Sequence, residues 1–235
     1  ALSSPLTFNS KKVEVFDTDV LTATATSSAG NSSYHIEVNQ LAAAHVVGSA
    51  LQTSATVSLG KSGTFSIGGK TITVETYDTL NSIRDKINNT ADIAVSASVI
   101  KVDDSATPYK LLLTSKNTGT AYAIDPANPD TVLSDPDNIL MDLGVINIDG
   151  SYNTIQSAKN AQLKVNNVSV ERSSNTITDV IAGVTLNLKK AALDGSISTT
   201  INVQTDEDKI VQAVKDFIDQ YNSTQSFIAE QLKYD

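Results

Sequence analysis

The sequence contains no cysteine, which rules out disulfides, thiolate metal sites and cysteine nucleophiles together. It leaves the redox compartment open. Tryptophan is also absent and aromatic residues make up only 5% of the chain, so any core has to be built from aliphatic side chains. No apolar run approaches the roughly 20 residues that a membrane span needs, and the N-terminal ALSSPLTFNSKK lacks the charged-then-apolar order of a signal peptide. Basic side chains are few, 17 against 26 acidic ones, and the net charge of −9 repels phosphate backbones and anionic lipid surfaces. Neither nucleic acid nor membrane is expected as a partner.

Chemistry-bearing patterns are scarce as well. The two histidines, His35 and His45, have neither an H-E-x-x-H nor a serine-elbow context and read as surface residues. Gly60, Gly63, Gly68 and Gly69 do not open a helix after a strand, so a dinucleotide fingerprint fails. Asp17 with Asp19, and Asp103 with Asp104, resemble paired carboxylates for acid-base work, but they sit at strand ends or turns where aspartate caps backbone groups. The oxygen-rich DPANPDTVLSDPD, Asp125 to Asp137, lacks the residue order of a calcium loop, and its Asp-Pro and Asn-Pro steps predict an irregular surface loop. The four N-x-S/T sequons, at Asn31, Asn88, Asn167 and Asn222, are about what an Asn, Ser and Thr-rich chain produces by chance. The sequence therefore predicts no enzyme, no metal and no cofactor.

What is present is a repeat. FSIGGKTITVETYDTLNSIRDKIN, starting at Phe65, reappears in altered form as LKVNNVSVERSSNTITDVIAGVTLNL, starting at Leu163. In the first copy Phe65 and Ile67 precede Gly68-Gly69 and Ile72 and Val74 follow; in the second Leu163 and Val165 precede Asn166-Asn167 and Val168 and Val170 follow. Both dipeptides tolerate the positive φ angles of a two-residue type I′ turn, so each copy predicts a hairpin with its four apolar residues on one face. A short helix is expected after each hairpin. Asp78 opens the first, with Leu80, Ile83 and Ile87 as its apolar face; Ser174 or Asn175 opens the second, with Ile177, Val180 and Ile181.

A length of 235 residues suggests two compact units rather than one. Residues 13 to 47 read as a strand, a turn and a returning strand, with His35, Glu37 and Asn39 on the face opposite Tyr34, Ile36 and Val38. IAVSASVI and KLLLTS, on either side of the turn-rich VDDSATPY, predict another hairpin, and order resumes at ILMDLGVINIDG after the proline-rich loop. Residues 205 to 232 differ in kind. Asp206, Glu207 and Asp208 crowd a first helical turn, and Ile210, Val214, Phe217, Tyr221 and Ile228 then recur in alternating steps of four and three, with Thr224 in the remaining place. Such a heptad seam cannot hide itself and needs a partner helix. Since the chain ends within the helical FIAEQLKYD without a stop signal, a piece of a longer protein is expected.

Five segments taken in order carry a family resemblance: VLTATATSSAGNSSYHIEVNQLAAAH, the first repeat copy, YKLLLTSKNTGTAYAI, NNVSVERSSNTITDVIAGVTLNLKKA and DKIVQAVKDFIDQYNS. Together they resemble the bacterial flagellar filament cap family, the hook-associated proteins at the filament tip. The resemblance departs at the acidic loop 125–137. It implies a mainly β (α+β) fold with two β-rich head domains of hairpins and short helices, one nested in the other, followed by a coiled-coil-like C-terminal helix. In that layout residues 1–19 end a leg domain, 20–50 and 156–203 form an inner head, 51–155 form an inserted outer head, and 204–235 return to the leg. The resemblance further implies export through the flagellar channel to the extracellular tip, a ring-like homo-oligomer, and flagellin and neighbouring hook-associated proteins as partners, with exported flagellin helped to fold and insert. The alternatives are an adhesin head binding host mucin or glycans, and a hydrolase using the aspartate pairs. Neither alternative needs a helix that pairs outside the chain.

Overall fold

The computed structural model describes residues 9–192 and 197–234. Residues 1–8 of the expected leg segment, 193–196 and Asp235 thus lie outside the described residues. The chain forms two compact units, one made of residues 1–39, 163–170 and 175–235 and the other of 40–162 and 171–174. The fold is mainly β, with four antiparallel sheets, short helices and one long C-terminal helix.

The strands in chain order are β1 (Lys11–Val15), β2 (Leu21–Ala25), β3 (Ser32–Gln40), β4 (Ala44–Gly48), β5 (Gly63–Ile67) and β6 (Lys70–Val74). After helix α1 (Leu80–Asn88) come β7 (Val95–Lys101), β8 (Tyr109–Thr118) and β9 (Leu133–Ser134). Helix α2 (Ile139–Asp142) leads to β10 (Thr154–Gln156), β11 (Ala161–Val165), β12 (Val168–Arg172), β13 (Thr176–Ile181), β14 (Val184–Leu188), β15 (Ile197–Thr205) and helix α3 (Glu207–Gln231). The sheets have the orders β1-β15-β3-β11-β12, β13-β14-β2, β10-β4-β8-β7 and β6-β5-β9.

Residues 13 to 47 depart from the simple strand pair read from their alternation. The break at FDTD separates β1 from β2, and β2 pairs with β14 while β3 pairs with β15, aligning Ile36 with Thr199. Period-two alternation gives the strand but not its neighbour. The buried Leu21, Ile36, Val38, Leu163, Leu186, Ile201 and Val203 alternate along these strands and supply the aliphatic interior.

In the second unit the Gly68-Gly69 hairpin forms as expected: β5 and β6 pair with Ile67 opposite Lys70, and both glycines have positive φ, 54° and 73°. Phe65, Ile67, Ile72 and Val74 are all buried, in one cluster with Leu80, Ile83 and Ile87 of α1 and with Leu111 and Leu113 of β8. Helix α1 begins one residue later than expected. Its N-cap is Thr79, whose hydroxyl accepts the Ser82 N–H while the Ser82 hydroxyl accepts the Thr79 N–H at 2.8 Å, a reciprocal capping box. Asp78 instead lies buried beside the cap, accepting the Glu75 N–H at 2.7 Å, the Ser82 hydroxyl at 2.8 Å and the Lys86 ammonium. At the other end of α1, the Asn88 amide bonds the N–H and the C=O of Ala97, both at 2.8 Å. That clip serves backbone groups on the edge strand β7, which pairs only with β8 among the described residues.

The second repeat copy turns in the same way and then diverges. Asn166 and Asn167 have φ of 48° and 68° between β11 and β12. The expected short helix over Ile177, Val180 and Ile181 is strand β13 instead. Five of its six residues, Thr176, Ile177, Thr178, Val180 and Ile181, are β-branched, stiff side chains that suit a pleated surface, and β14 supplies the pairing partner. A register shift between Ile177 and Ile181 leaves both buried, and that spacing of four imitates a helical face.

The loop 125–137 is only partly the surface loop expected. Thr131 and Leu133 are buried, and Leu133 and Ser134 pair with β5. The apolar residues within the acidic text are drawn inward, and the Asp-Pro steps mark the bends around them.

Candidate functional site

The C-terminal helix carries the seam. Asp206 caps it, its carboxylate accepting the Lys209 N–H at 3.1 Å, and its own N–H is bonded to the Ser10 carbonyl at 2.8 Å. Glu207 and Asp208 place negative charge in the first turn, where the helix dipole favours it, and Asp208 pairs with Lys12 at 3.1 Å. Twenty-five residues give a rod of roughly 37 Å.

No described residue of this rod is buried. Ile210 is half-buried; Val214, Phe217, Tyr221 and Ile228 are exposed, Phe217 at 48% and Tyr221 at 55%. The two rings stack at 6.4 Å between centroids and 30° between planes, so the seam is partly organised along its own helix. Thr224, in the fifth seam place, donates its hydroxyl to the Gln220 carbonyl at 2.9 Å and so satisfies its polar group within the helix. Heptad counting missed the breadth of the stripe. Val211 and Ile218, each one residue beyond a seam position, are also exposed, and they widen a two-position seam to three. The signal was present in the IV and FI dipeptides.

The remaining predicted residues belong to the repeat. All four of the first copy are core, as described above. In the second, Leu163 is buried, Val165 and Val170 are half-buried, and Val168 is 66% exposed. Val165, Val168 and Val170 line a hollow of about 380 Å³ whose other wall is Val180, Ile181 and Ala182. The strand that replaced the expected helix ends at this wall, so the hairpin is roofed only in part. The hollow is an apolar concavity without an acid-base pair.

Polar candidates occupy bland places. The Asp17 carboxylate accepts the Asp19 N–H at 3.0 Å and that of Asp103 accepts the Ser105 N–H at 2.9 Å, while Asp104 pairs with Lys101; these are turn contacts. Among the described residues, no group of three or more His, Asp or Glu is placed to hold a metal ion. His35 is exposed, as expected.

His45 corrects its expectation. It is only 9% exposed, because β8 and β10 flank β4 and the segment at Ile124 closes over the ring. Its Nδ1 accepts the Ile124 N–H at 2.9 Å, which leaves the proton of the neutral ring on Nε2, 3.4 Å from the Thr154 hydroxyl. Burial pushes the imidazole below the ordinary histidine range, against the smaller upward pulls of the Ile124 backbone and, weaker still, of the Asp125 charge.

Comparison with known proteins places this architecture. Two family models match, "Flagellar hook-associated protein 2 N-terminus" over residues 1–45 and "Flagellar hook-associated protein 2 C-terminus" over residues 158–235. The chain is 35% identical over 156 residues to flagellar hook-associated protein 2 of Salmonella typhimurium, covering 66% of this chain and 31% of that protein. It is 31% identical over 245 residues to the B-type flagellar hook-associated protein 2 of Pseudomonas aeruginosa, covering 98% and 51%. Among solved structures, the D1-D2-D3 domains of the flagellar cap protein FliD from Escherichia coli superpose with a TM-score of 0.77 at 30% identity, over 97% of this chain and 76% of that one. The chain thus spans about half or less of the length of the two curated relatives.

Proposed function

Since the chain belongs to the flagellar hook-associated protein 2 family, we propose that the protein it comes from is a structural cap at the extracellular, distal end of the bacterial flagellar filament. It acts there as a ring-like homo-oligomer that promotes folding and insertion of exported flagellin, in contact with flagellin and with neighbouring hook-associated proteins. Residues 1–19 and 204–235 belong to its leg, 20–50 and 156–203 to an inner head domain, and 51–155 to an outer head inserted in it. The discontinuous first unit, which takes up the chain again after residue 162, supports the nesting.

The observation that carries this reading is the uncovered stripe of α3, following β-rich units in which every described candidate carboxylate pair makes turn contacts. A helix with three apolar heptad positions exposed along roughly 37 Å needs further helices to cover it. That is the requirement of an assembly component and not of a catalyst.

Complementation tests the proposal. Cells lacking the gene are expected to shed flagellin into the medium without building long filaments, and the intact gene to restore them. The gene without residues 206 to 235 is expected to fail, while Asp17→Asn, Asp104→Asn and His35→Ala are expected to succeed. Loss of filament growth by one of those three variants, with the protein folded and at the tip, would reveal a chemical site and overturn the structural reading.

A further inference from the structure

Ile124 is 1% exposed and belongs to the core of the second unit, yet it follows a 3-10 turn (Thr120–Tyr122) and precedes the first Asp-Pro step, so few regular ladder bonds secure it. The segment after it is tied mostly to itself. Asn128 donates its amide to the Ala121 and Ala123 carbonyls at 3.1 and 2.9 Å, and Thr131 donates its hydroxyl to Ala123 at 2.6 Å. The segment's ends are held elsewhere, the Thr120 N–H on Asn160 Oδ1 at 2.8 Å and the Val132 carbonyl on the Gly68 N–H at 2.9 Å. The bond from the Ile124 N–H to His45 Nδ1, at 2.9 Å, connects the middle of the segment to β4, with Nε2 3.4 Å from the Thr154 hydroxyl of β10.

We propose that His45 is an acid-released latch: the neutral ring holds the segment around 120–128 against β4, and a proton on Nδ1 lets that segment open locally. The chemistry is steric and electrostatic. A protonated Nδ1 is a donor facing the Ile124 N–H, another donor, so the bond is lost and two buried hydrogens oppose each other. Asp125, beside Ile124, is the charged group whose field reaches the ring, and it also bears on the Tyr152 hydroxyl, which bonds Leu133 at the far end of the segment. Its negative charge favours the imidazolium and so helps the release without preserving the bond. Burial, the largest influence, outweighs the upward pulls of the Ile124 backbone and of Asp125 and favours the neutral ring.

The direction follows from linkage. The native ring binds its proton less readily than the opened one, so closure is fully supported above about pH 6.5 and weakens as the pH falls below it. Amide hydrogen exchange of this chain between about pH 7.5 and pH 5, with each rate normalised to its intrinsic value, reads the opening at Ile124. The opening equilibrium should rise by up to tenfold per pH unit below about 6.5, while the amides of α1 stay unchanged. His45→Asn, which keeps an acceptor oxygen near the place of Nδ1 but cannot titrate, should abolish the rise. A pH-independent Ile124 amide in the wild type would overturn the latch, as would a rise that persists in His45→Asn. Should that variant fold poorly, nitrogen-15 spectra of the wild-type imidazole decide instead. The ring should be the Nε2–H tautomer at neutral pH and should titrate together with the Ile124 opening; titration without opening overturns the proposal.

Discussion

Replacing Phe217 by aspartate separates a seam that waits for a partner from one already satisfied. Within this chain Phe217 is 48% exposed and its main organised contact is the Tyr221 ring at 6.4 Å. Fully burying a phenylalanine contributes about 1.5–3 kcal/mol, so the half already sheltered represents about 1 kcal/mol. The ring pair adds up to about 1 kcal/mol. Thermal unfolding of the chain, followed by far-ultraviolet circular dichroism, should therefore register a loss of about 1–2 kcal/mol. In the intact protein, with the stripe covered, truncating a buried Phe alone costs about 3–5 kcal/mol, and an uncompensated carboxylate in an apolar seam adds to that. The intact variant should then lose helical assembly and filament growth together. Equal losses in the two contexts would refute the reasoning, because they would mean that the seam is already as covered in this chain as it ever becomes.

Gly68→Ala should destabilise by more than the roughly 1 kcal/mol of a left-handed residue, because the added Cβ would stand 2.1 Å from the Asp130 carbonyl oxygen, whereas Gly69→Ala meets nothing within 4 Å and should show only the conformational cost; denaturant midpoints of the two variants rank them. Burial pushes the Asp78 carboxyl up, but the Glu75 N–H, Lys86 and Ser82 outweigh it and hold the group below the ordinary carboxylate range. Its contribution is therefore present above about pH 3.9 and lost as the pH falls through the lowered native value, so Asp78→Asn should flatten the acid limb of a stability-against-pH curve and cost about 1–3 kcal/mol at neutral pH. Asn166→Gly should keep the hairpin turn yet lose about 1 kcal/mol in chemical unfolding, since it deletes the acceptor of the His35 N–H at 2.8 Å.

The hairpins were legible because a two-residue turn with positive φ has so few residues to choose from that Gly-Gly and Asn-Asn declare it. Helix α1 was legible to within one residue; what spacing missed was that Thr79 and Ser82 form a reciprocal pair and so win the cap from Asp78. The strand at Ile177 to Ile181 was misread because a strand and a helix both place residues four apart on one face, and only the presence of β14 decides between them. His45 was misread for a related reason. A histidine without a motif looks like a surface residue until tertiary neighbours close over it, and Ile124, 79 positions away, leaves no local trace. The seam of α3 could be counted directly, but its width depended on residues that a two-position heptad template ignores.

The two turns explain why a repeat can keep its shape and change its letters. Both need φ near 50° and then near 70°, which either dipeptide supplies. What differs is the space above the first turn residue. Over Gly68 lies the Asp130 backbone, so close that any Cβ collides, and the Gly68 N–H is bonded to the Val132 carbonyl at 2.9 Å. Over Asn166 lies β3, where the His35 carbonyl accepts the Asn166 N–H at 2.9 Å and the His35 N–H reaches the Asn166 side chain. Glycine is required where a loop presses down on the turn, and asparagine is useful where a strand offers a donor to the side chain. The first hairpin is thereby sealed under the 125–137 loop and keeps four core residues, while the second is clipped to its sheet from one side. Its outer residue, Val168, is left exposed at the hollow. Composition at the turn follows from what the turn has to touch, so the same local instruction yields a closed core in one unit and an open apolar wall in the other.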